Sequence, residues 1–313
     1  MNRLTFFTSP KAFRGIFDVI QHNAIQSWTL LDPRPEIILV GDDFGVAEAA
    51  RRYGCVHVQG LARNEYGTPL ISSIFSVAQE TASNDLLCYL NSDIILLSDF
   101  IPAVSAAVEW VKDERFLLVG RKTTIDIPEP IDFANNDWED TLRNSATSRG
   151  RQGTYDSDFF VFRKGMLLDV PHFAIGRCYW TQWFMYDTRR KALPMIDMTN
   201  VILSVESKHD YSHAGSTGGA KRLSGAEFRL NRRLFAGCRY YTTVDASDVM
   251  TKSGPVKRPL GHVFLSWVVR ADYHLYFSLK GGLYPYSLPL ILVGRWMRSG
   301  IRILMGRRRF VLR

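Results

Sequence analysis

The sequence predicts an α/β protein built on a mostly parallel sheet flanked by helices, and three observations support this. Short apolar runs alternate with segments of helical spacing through the first 120 residues. The run from Leu86 to Leu90 is continuously apolar, which is typical of a parallel strand covered on both faces. The 313 residues are 46% hydrophobic and 22% charged, so the chain can bury a substantial core. Alternation of this kind gives parallel strands joined by right-handed crossovers.

In the first half, prolines and capping residues mark where the predicted helices begin and end. Pro33 and Pro35 end the first predicted helix, because proline has no amide hydrogen to donate within a helix. Thr68 is expected to cap the third helix, with Pro69 in its favoured first turn, and Ser98 is expected to cap the fourth. Strands are predicted at residues 4–8, 36–40, 55–58, 86–90 and 116–119, and helices at 13–30, 46–53, 69–82 and 98–112.

The second half is less regular. Residues 128–153 are rich in Asn, Asp, Ser and Arg, which predicts a loop-rich segment. Trp180 and Trp183 lie three residues apart on a predicted helix, a spacing more typical of core than of a surface for stacking a sugar. Strand character resumes at residues 155–163 and 195–205, with the helix predicted at 175–190.

Cysteine usage and motif absences disfavour several classes of protein. The four cysteines are scattered without a CxxC spacing, which argues against a zinc cage or disulfide framework and predicts a cytoplasmic setting. Residues 1–7 resemble a strand without signal-peptide features, and no apolar run approaches the ~20 residues that span a bilayer. The chain has no P-loop, no glycine-rich dinucleotide turn after the first strand, and no nucleophile elbow.

Three polar segments follow predicted strands: Thr8 to Lys11, Gly41 to Asp43, and Asn91 to Asp93. Ligands of parallel sheets bind outside the carboxyl ends of the strands, so these segments predict the site. Asn91 and Asp93 can both reach one divalent cation or one sugar from the turn that leaves a strand. The alternative is a plain turn, since Asn, Ser and Asp all favour turns.

Other candidates carry open alternatives. Asp42 and Asp43 can accept hydrogen bonds from a nucleobase or ribose, or cap the next helix. The segment from His209 to His213 is dense in metal ligands, although histidine pairs also occur in hydrogen-bonded loops. Arg121 can hold a phosphate or lie in solvent. Asp156 and Asp158 can each act as a general base for an acceptor hydroxyl, or belong to a turn.

Taken together, strands that end in Thr-Ser-Pro-Lys, Val-Gly-Asp-Asp and Leu-Asn-Ser-Asp-Ile resemble the GT-A glycosyltransferases, with family-2-like members nearest. The resemblance covers roughly residues 1–215. It implies a Rossmann-type sheet, a nucleotide-sugar donor, and Mn²⁺ or Mg²⁺ as cofactor. Thr8, Lys11, Asp42, Asp43, Asn91 and Arg121 would bind the donor, and Asp93, His209 and His213 would bind the metal.

The sequence departs from the family pattern in two places. An amide, Asn91, occupies the first position of the Asp-x-Asp motif. Trp180-Thr181-Gln182-Trp183 lacks the acid that related sequences tend to carry in a Trp-Asp-Asn-Trp segment. Asp156, Asp158 or Asp210 would then have to serve as the catalytic acid or base. The alternatives are a non-catalytic relative that binds a nucleotide-sugar or glycan, and a sugar-phosphate nucleotidyltransferase, although Thr8 to Lys11 lacks that class's glycine-rich loop.

The resemblance implies a donor-binding half at residues 1–130 and an acceptor-binding half at 131–245. Residues 246–313 form a predicted basic, amphipathic extension. The net charge is +8, and from Leu290 a helix would place arginines on one face, opposite an apolar face. This pattern favours the anionic inner face of a membrane over nucleic acid as a partner. The resemblance implies a glycan or lipid-linked acceptor. The alternative is a terminal helix packed on its own domain. The basic residues are Arg295, Arg298, Arg302, Arg307, Arg308, Arg309 and Arg313.

Overall fold

The computed structural model describes residues 3–153, 157–209, 225–258, 266–267 and 270. Within these residues, strands and helices alternate as far as residue 110, and no helix is long and apolar enough to cross a bilayer. The helices are α1 (Ile16–Thr29), α2 (Val46–Tyr53), α3 (Ile71–Thr81), α4 (Phe100–Trp110), α5 (Trp138–Arg149), α6 (Trp180–Arg190) and α7 (Ala226–Leu234).

The described strands form two sheets, one large and one small. They are β1 (Leu4–Thr8), β2 (Glu36–Val40), β3 (Val56–Val58), β4 (Leu86–Leu90), β5 (Ile94–Ile95), β6 (Leu117–Gly120), β7 (Lys122–Ile125), β8 (Phe159–Arg163), β9 (Met195–Asp197), β10 (Ser204–Ser207), β11 (Asp248–Thr251) and β12 (Gly254–Lys257).

The large sheet has the order β12-β11-β9-β6-β8-β4-β1-β2-β3. Strands β1 to β4 are parallel, and β6, β9 and β11 form a second parallel group. Strand β8 lies between β4 and β6 and is antiparallel to both, while β12 is antiparallel to β11 at the edge. The predicted fold class, a mostly parallel Rossmann-type sheet flanked by helices, is therefore confirmed.

Side chains of alternate residues build a core on each face of this sheet, as the twofold period of a strand requires. Phe6 packs edge-on against Trp28 of α1 and Phe100 of α4. Phe7 points to the other face and packs against Phe75 of α3. All five aromatic rings are buried, and burial of each contributes about 1.5–3 kcal/mol. The parallel strands are therefore covered on both sides, as their apolar sequences predict.

The small sheet has the order β5-β10-β7. Strand β10 is parallel to β7 and antiparallel to β5, so it joins two segments that are distant in sequence. The registers pair Glu206 with Ile94 on one side and with Thr124 on the other. This sheet places the ends of β4, β6 and β10 next to one another.

Several local predictions are wrong. The N-cap positions of α3 and α4 are Leu70 and Asp99, so neither Thr68 nor Ser98 caps its helix. Residues 128–153 include a helix, α5, which we expected to be loop-rich; it buries only Leu142 and Ala146, so its apolar signal is weak. Residues 195–205 form two strands in different sheets, because the chain turns after β9. Helix α3 begins at Ile71 rather than at Pro69, since Leu70 is extended and bridges Ala174.

Strands β11 and β12 lie within the predicted C-terminal extension and join the large sheet. Arg258, just after β12, pairs with the buried Asp197 of β9 and donates to the carbonyl oxygen of Thr243. This segment is thus integrated into the core fold. The predicted amphipathic helix from Leu290 onward lies outside the described residues.

Candidate active site

Asp93 lies in the turn that connects β4 to β5, at the carboxyl edge of the parallel strands. Ser92, beside it, donates to Oε1 of Gln21 at 2.8 Å, and that same oxygen accepts from the amide of Lys11 at 2.8 Å. Gln21 of α1 thereby ties the end of β1 to the turn after β4. The ammonium of Lys11 lies 3.3 Å from Oδ2 of Asp93. Two segments that the sequence predicted to meet, the ends of β1 and β4, do so.

Strand β10 brings two further ligands to Asp93. Nε2 of His209 lies 3.3 Å from Oδ2 of Asp93 and 3.9 Å from Oε1 of Glu206. One ligand atom from each of these three residues lies within 4.8 Å of the others. All three side chains are buried. We call Asp93, Glu206 and His209 the ligand triad.

The electrostatics of the triad keep Asp93 ionised. Burial raises the pKa of the Asp93 carboxyl, but the Lys11 ammonium, the hydrogen bond from His209 and the charge of Lys122 outweigh it. The net effect is a pKa well below the ordinary value of an aspartate. The carboxylate is therefore ready to bind a cation at neutral pH.

The donor set of the triad fits a divalent metal. Two carboxylates and one imidazole suit Mn²⁺ well, and carboxylates also suit Mg²⁺. Oδ1 of Asp93 is buried and has no hydrogen-bond partner among the described residues. A buried carboxylate oxygen is normally satisfied, so this oxygen is the observation that favours a cation at the triad.

Asn91 and Asp158 form a polar pair next to the triad. Asn91 donates from Nδ2 to Oδ1 of Asp158 at 3.3 Å, and its own Oδ1 accepts from the hydroxyl of Tyr89 at 3.2 Å. Burial, together with the charges of Asp93 and Asp158, raises the pKa of Tyr89, so its hydroxyl remains a donor. Asn91 thus hydrogen-bonds to both the neutral phenol of Tyr89 and the carboxylate of Asp158. The structure brings together Asn91, which directly follows β4, and Asp158, which directly precedes β8.

Lys122 connects this pair to the ligand triad. Its ammonium lies 3.3 Å from Oδ1 of Asp158 and also forms an ion pair with Oε1 of Glu206. Thr124, two residues along β7, donates to the other oxygen of Glu206 at 3.1 Å. The Lys122 side chain is only 10% exposed, so this is a buried ion-pair network. Three carboxylates and two ammonium groups therefore share one site.

Asp42 and Asp43 follow β2, beside β1. Arg63 contacts both, at 2.6 Å from Oδ1 of Asp42 and 3.2 Å from Oδ2 of Asp43. This hydrogen bond from Arg63 lowers the pKa of the exposed Asp42 carboxyl. Gly41 has a positive φ of 128°, and a Cβ there would lie 3.5 Å from Oγ of Ser9. The ends of β1 and β2 are therefore close together, as predicted.

The remaining predicted residues divide into three groups. Thr8 is buried at the end of β1, and its hydroxyl has no hydrogen-bond partner among the described residues. Arg121 is buried between β6 and β7, with its backbone amide bonded to Thr199. It is thus not the solvated surface residue of the alternative interpretation. Asp156, Asp210 and His213 lie outside the described residues.

The tryptophans of α6 belong to the core, as the sequence favours. Trp180 packs edge-on against Tyr89 at 5.3 Å, and Trp183 contacts Phe173 and Phe184. Both tryptophans are buried. The helix places Thr181, the position expected to carry an acid, in a half-buried location.

The sequence did not indicate Glu206 as a neighbour of Asp93 and His209, the burial of Lys122, or the contact of Arg63 with Asp42. Glu206 precedes His209 by three residues. It directly follows residues 195–205, which the sequence predicts as one strand, so nothing marks it as a separate polar site. Lys122 follows a predicted strand, and only the pairing of β7 with β10 places its ammonium beside Glu206.

Neither a scan against models of protein families nor a search of curated proteins finds a match. Among solved structures, the fold is similar to residues 1–349 of S. aureus TarS in complex with UDP-GlcNAc. The identity is 14% and the TM-score 0.49, over 94% of this chain and 79% of that chain. It is also similar to M. tuberculosis glucosyl-3-phosphoglycerate synthase in complex with Mn²⁺, UDP and phosphoglyceric acid, at 12% identity and a TM-score of 0.40, over 74% of this chain and 78% of that chain.

A third similar structure is CMP:2-keto-3-deoxy-manno-octonic acid synthetase complexed with CTP. Its identity is 11% and its TM-score 0.35, over 66% of this chain and 88% of that chain. At TM-scores below 0.5, these likenesses do not assign an activity. The function has to be argued from the site itself.

Proposed function

We propose that this chain is a GT-A-like glycosyltransferase that moves a sugar from a nucleotide-diphosphate sugar to an acceptor. The observation that carries the proposal is the buried ligand triad at the carboxyl edge of β4, with an Asp93 oxygen that has no hydrogen-bond partner among the described residues. The mostly parallel sheet flanked by helices agrees with the Rossmann-type sheet that the resemblance implies.

In this proposal, Asp93, Glu206 and His209 hold Mn²⁺ or Mg²⁺. The cation would neutralise the negative charge that develops on the leaving nucleoside diphosphate. Lys11, 3.3 Å from Asp93, supplies a second positive charge from the end of β1. Its ammonium also lies 4.5 Å from the centre of the Phe17 ring, which limits where the side chain can go.

Asp42 and Asp43 accept hydrogen bonds from the nucleoside, with Arg63 fixing their orientation. This role follows from their position after β2, one strand away from β1. Thr8 and Arg121 complete the donor side. Both are buried at strand ends, and the hydroxyl of Thr8 has no hydrogen-bond partner among the described residues.

Asp158 acts as the general base for the acceptor hydroxyl. It is the described candidate that lies beside the triad, joined to it through Lys122. Asp156 and Asp210 remain alternatives for the same role. The acceptor, a glycan or a lipid-linked sugar, would lie over residues 131–213, and the C-terminal arginines would hold the enzyme at the inner membrane face.

A screen of nucleotide-sugars and nucleoside diphosphates tests the proposal. Thermal unfolding is measured with each compound, with and without Mn²⁺, and release of the free nucleoside diphosphate is then followed for each sugar that binds. We expect one nucleotide-sugar to raise the Tm and to be turned over. Binding without turnover would support the non-catalytic relative, for which the threonine at position 181 argues. Synthesis of a nucleotide-sugar from a nucleoside triphosphate would support the nucleotidyltransferase instead.

A further inference from the structure

We infer that Lys122 is an internal counter-cation that occupies Glu206, one of the two carboxylates of the ligand triad, until metal and diphosphate arrive together. The inference rests on the proposed function and adds a property to it. Free metal should bind weakly because it must displace Lys122 from Glu206. A diphosphate should strengthen metal binding because it gives the displaced ammonium a new anion.

The geometry places Lys122 in direct competition with a metal. Its ammonium pairs with Oε1 of Glu206. That oxygen is also the Glu206 atom measured 3.9 Å from Nε2 of His209. The other oxygen, Oε2, is already bonded by the hydroxyl of Thr124. A metal at the triad would therefore take over the oxygen that Lys122 now contacts.

The fold fixes Lys122 in this position. It is the first residue of β7, and the parallel register with β10 aligns Lys122 with Ser204 and Thr124 with Glu206. Oδ1 of Asp158, from the start of β8, lies 3.3 Å from the ammonium on another side. Lys122 thus lies between two carboxylates that come from different sheets. The Lys122 side chain is only 10% exposed, whereas lysine side chains are mostly exposed to solvent.

The charges of the site explain the coupling. Asp93, Asp158 and Glu206 carry three negative charges, and Lys11 and Lys122 carry two positive ones. These five groups leave one net negative charge, which a divalent cation would convert to a net positive charge in a buried place. Buried excess charge is unfavourable. A nucleoside diphosphate adds negative charge, so the metal and the diphosphate should each raise the affinity of the other by the same factor.

The test is a titration of the full chain with Mn²⁺, in which free Mn²⁺ is counted by its electron paramagnetic resonance signal. We compare the wild type with Lys122→Met, which keeps the apolar stem, and Lys122→Arg, which keeps the charge. Lys112→Met, at an exposed lysine after α4, is the control. We expect Lys122→Met to bind Mn²⁺ alone about tenfold more tightly than the wild type. Lys122→Arg and the control should bind as the wild type does.

A second arm measures the coupling. Mn²⁺ titrations are repeated with uridine, guanosine or adenosine diphosphate, and we expect the gain in Mn²⁺ affinity to be smaller in Lys122→Met than in the wild type. If Lys122→Met does not fold, Lys122→Gln replaces it, because an amide can still hydrogen-bond both carboxylates. A Lys122→Met or Lys122→Gln protein that binds Mn²⁺ alone no more tightly than the wild type would overturn the inference.

The two arms separate this inference from the proposed function. The first uses Mn²⁺ alone, so its outcome does not depend on any donor or on turnover. Absence of binding by every nucleotide, with tighter Mn²⁺ binding by Lys122→Met, would reject the glycosyltransferase and the coupling to a diphosphate, and would keep the competition between Lys122 and the metal. Turnover of a nucleotide-sugar, with unchanged Mn²⁺ binding by Lys122→Met, would support the glycosyltransferase and reject the counter-cation.

Discussion

Asp93 keeps a negative charge in a buried position because Lys11, His209 and Lys122 together outweigh the effect of burial on its pKa, but its two oxygens have different surroundings. Oδ2 lies 3.3 Å from both the Lys11 ammonium and Nε2 of His209. Oδ1 is buried without a hydrogen-bond partner among the described residues. An oxygen in that state costs about 1–3 kcal/mol, more when charged. A cation bound at Oδ1 would recover that free energy, which is why we place the metal there.

Asn91 shows why one position of the Asp-x-Asp motif is an amide in this chain. Its Nδ2 donates to Oδ1 of Asp158 at 3.3 Å. A carboxylate has no hydrogen to donate there, and two like charges would face each other. Asp158 supplies the second negative charge from β8 instead. The neutral amide of Asn91 and the carboxylate of Asp158 are therefore complementary hydrogen-bonding partners.

We predict that Asn91→Asp lowers the free energy of unfolding by about 1–3 kcal/mol at neutral pH, because it replaces a donor to Asp158 with a like charge. Urea unfolding followed by circular dichroism measures the loss. Asn144→Asp, at an exposed position on α5, is the matched control and should change little. Equal stability of the two variants at pH 7 would show that Asn91 does not carry this role.

At the scale of elements, the sequence predicts the long apolar strands well and the short polar ones poorly. Strands β1, β2 and β4 match their predicted bounds, because a strand buried on both faces has an uninterrupted apolar signal. Strand β5 has two residues and β10 contains Ser204, Glu206 and Ser207, so neither carries such a signal. The triad depends on these two strands. The sequence therefore indicates Asp93 and His209 as candidate ligands, each from its own polar segment, but gives no signal for Glu206 within the short strand β10.

The start of β2 offers a test of stability that is independent of the site. Glu36 accepts hydrogen bonds from the hydroxyl of Thr5 at 2.6 Å and from the amide and hydroxyl of Ser83 at 2.9 and 2.7 Å. Burial raises the pKa of Glu36, but these hydrogen bonds outweigh it, so the pKa is lowered from 4.5. The ionised form thus ties β1, β2 and the segment before β4 together.

A depressed pKa in the folded state stabilises the protein above the unfolded pKa, and the effect is lost as the pH falls through the folded value. We therefore predict that Glu36→Gln lowers the Tm at pH 7 and that the difference from the wild type shrinks from about pH 4.5 downward. Differential scanning calorimetry at a series of pH values measures both. Glu109→Gln, at an exposed position on α4, should track the wild type throughout. A Tm difference that stays constant with pH would contradict the pKa argument.

At the scale of the whole molecule, the candidate site lies where the sheet of nine described strands meets the small sheet β5-β10-β7. Strands β1, β2 and β4 present the donor-side residues, and β8, β6 and the small sheet present Asp158, Arg121 and Lys122. The halves at residues 1–130 and 131–245 therefore stay a proposal about roles, since strands from both share the sheet. Fold class follows from the alternation of strands and helices. The meeting of the site residues does not follow from that alternation, because it depends on the order of the strands in the two sheets.

The central claim is that the triad is a metal site used in sugar transfer, and turnover of the donor by Asp93→Asn tests it most directly. Release of nucleoside diphosphate from the nucleotide-sugar found in the screen is measured with Mn²⁺ for the wild type, Asp93→Asn and Asp126→Asn. Asp126, exposed just after β7, is the matched control. We predict that Asp93→Asn loses at least about a hundredfold in rate, equivalent to roughly 2.7 kcal/mol, while it remains folded and Asp126→Asn is unaffected. Wild-type turnover by a folded Asp93→Asn protein would contradict the account.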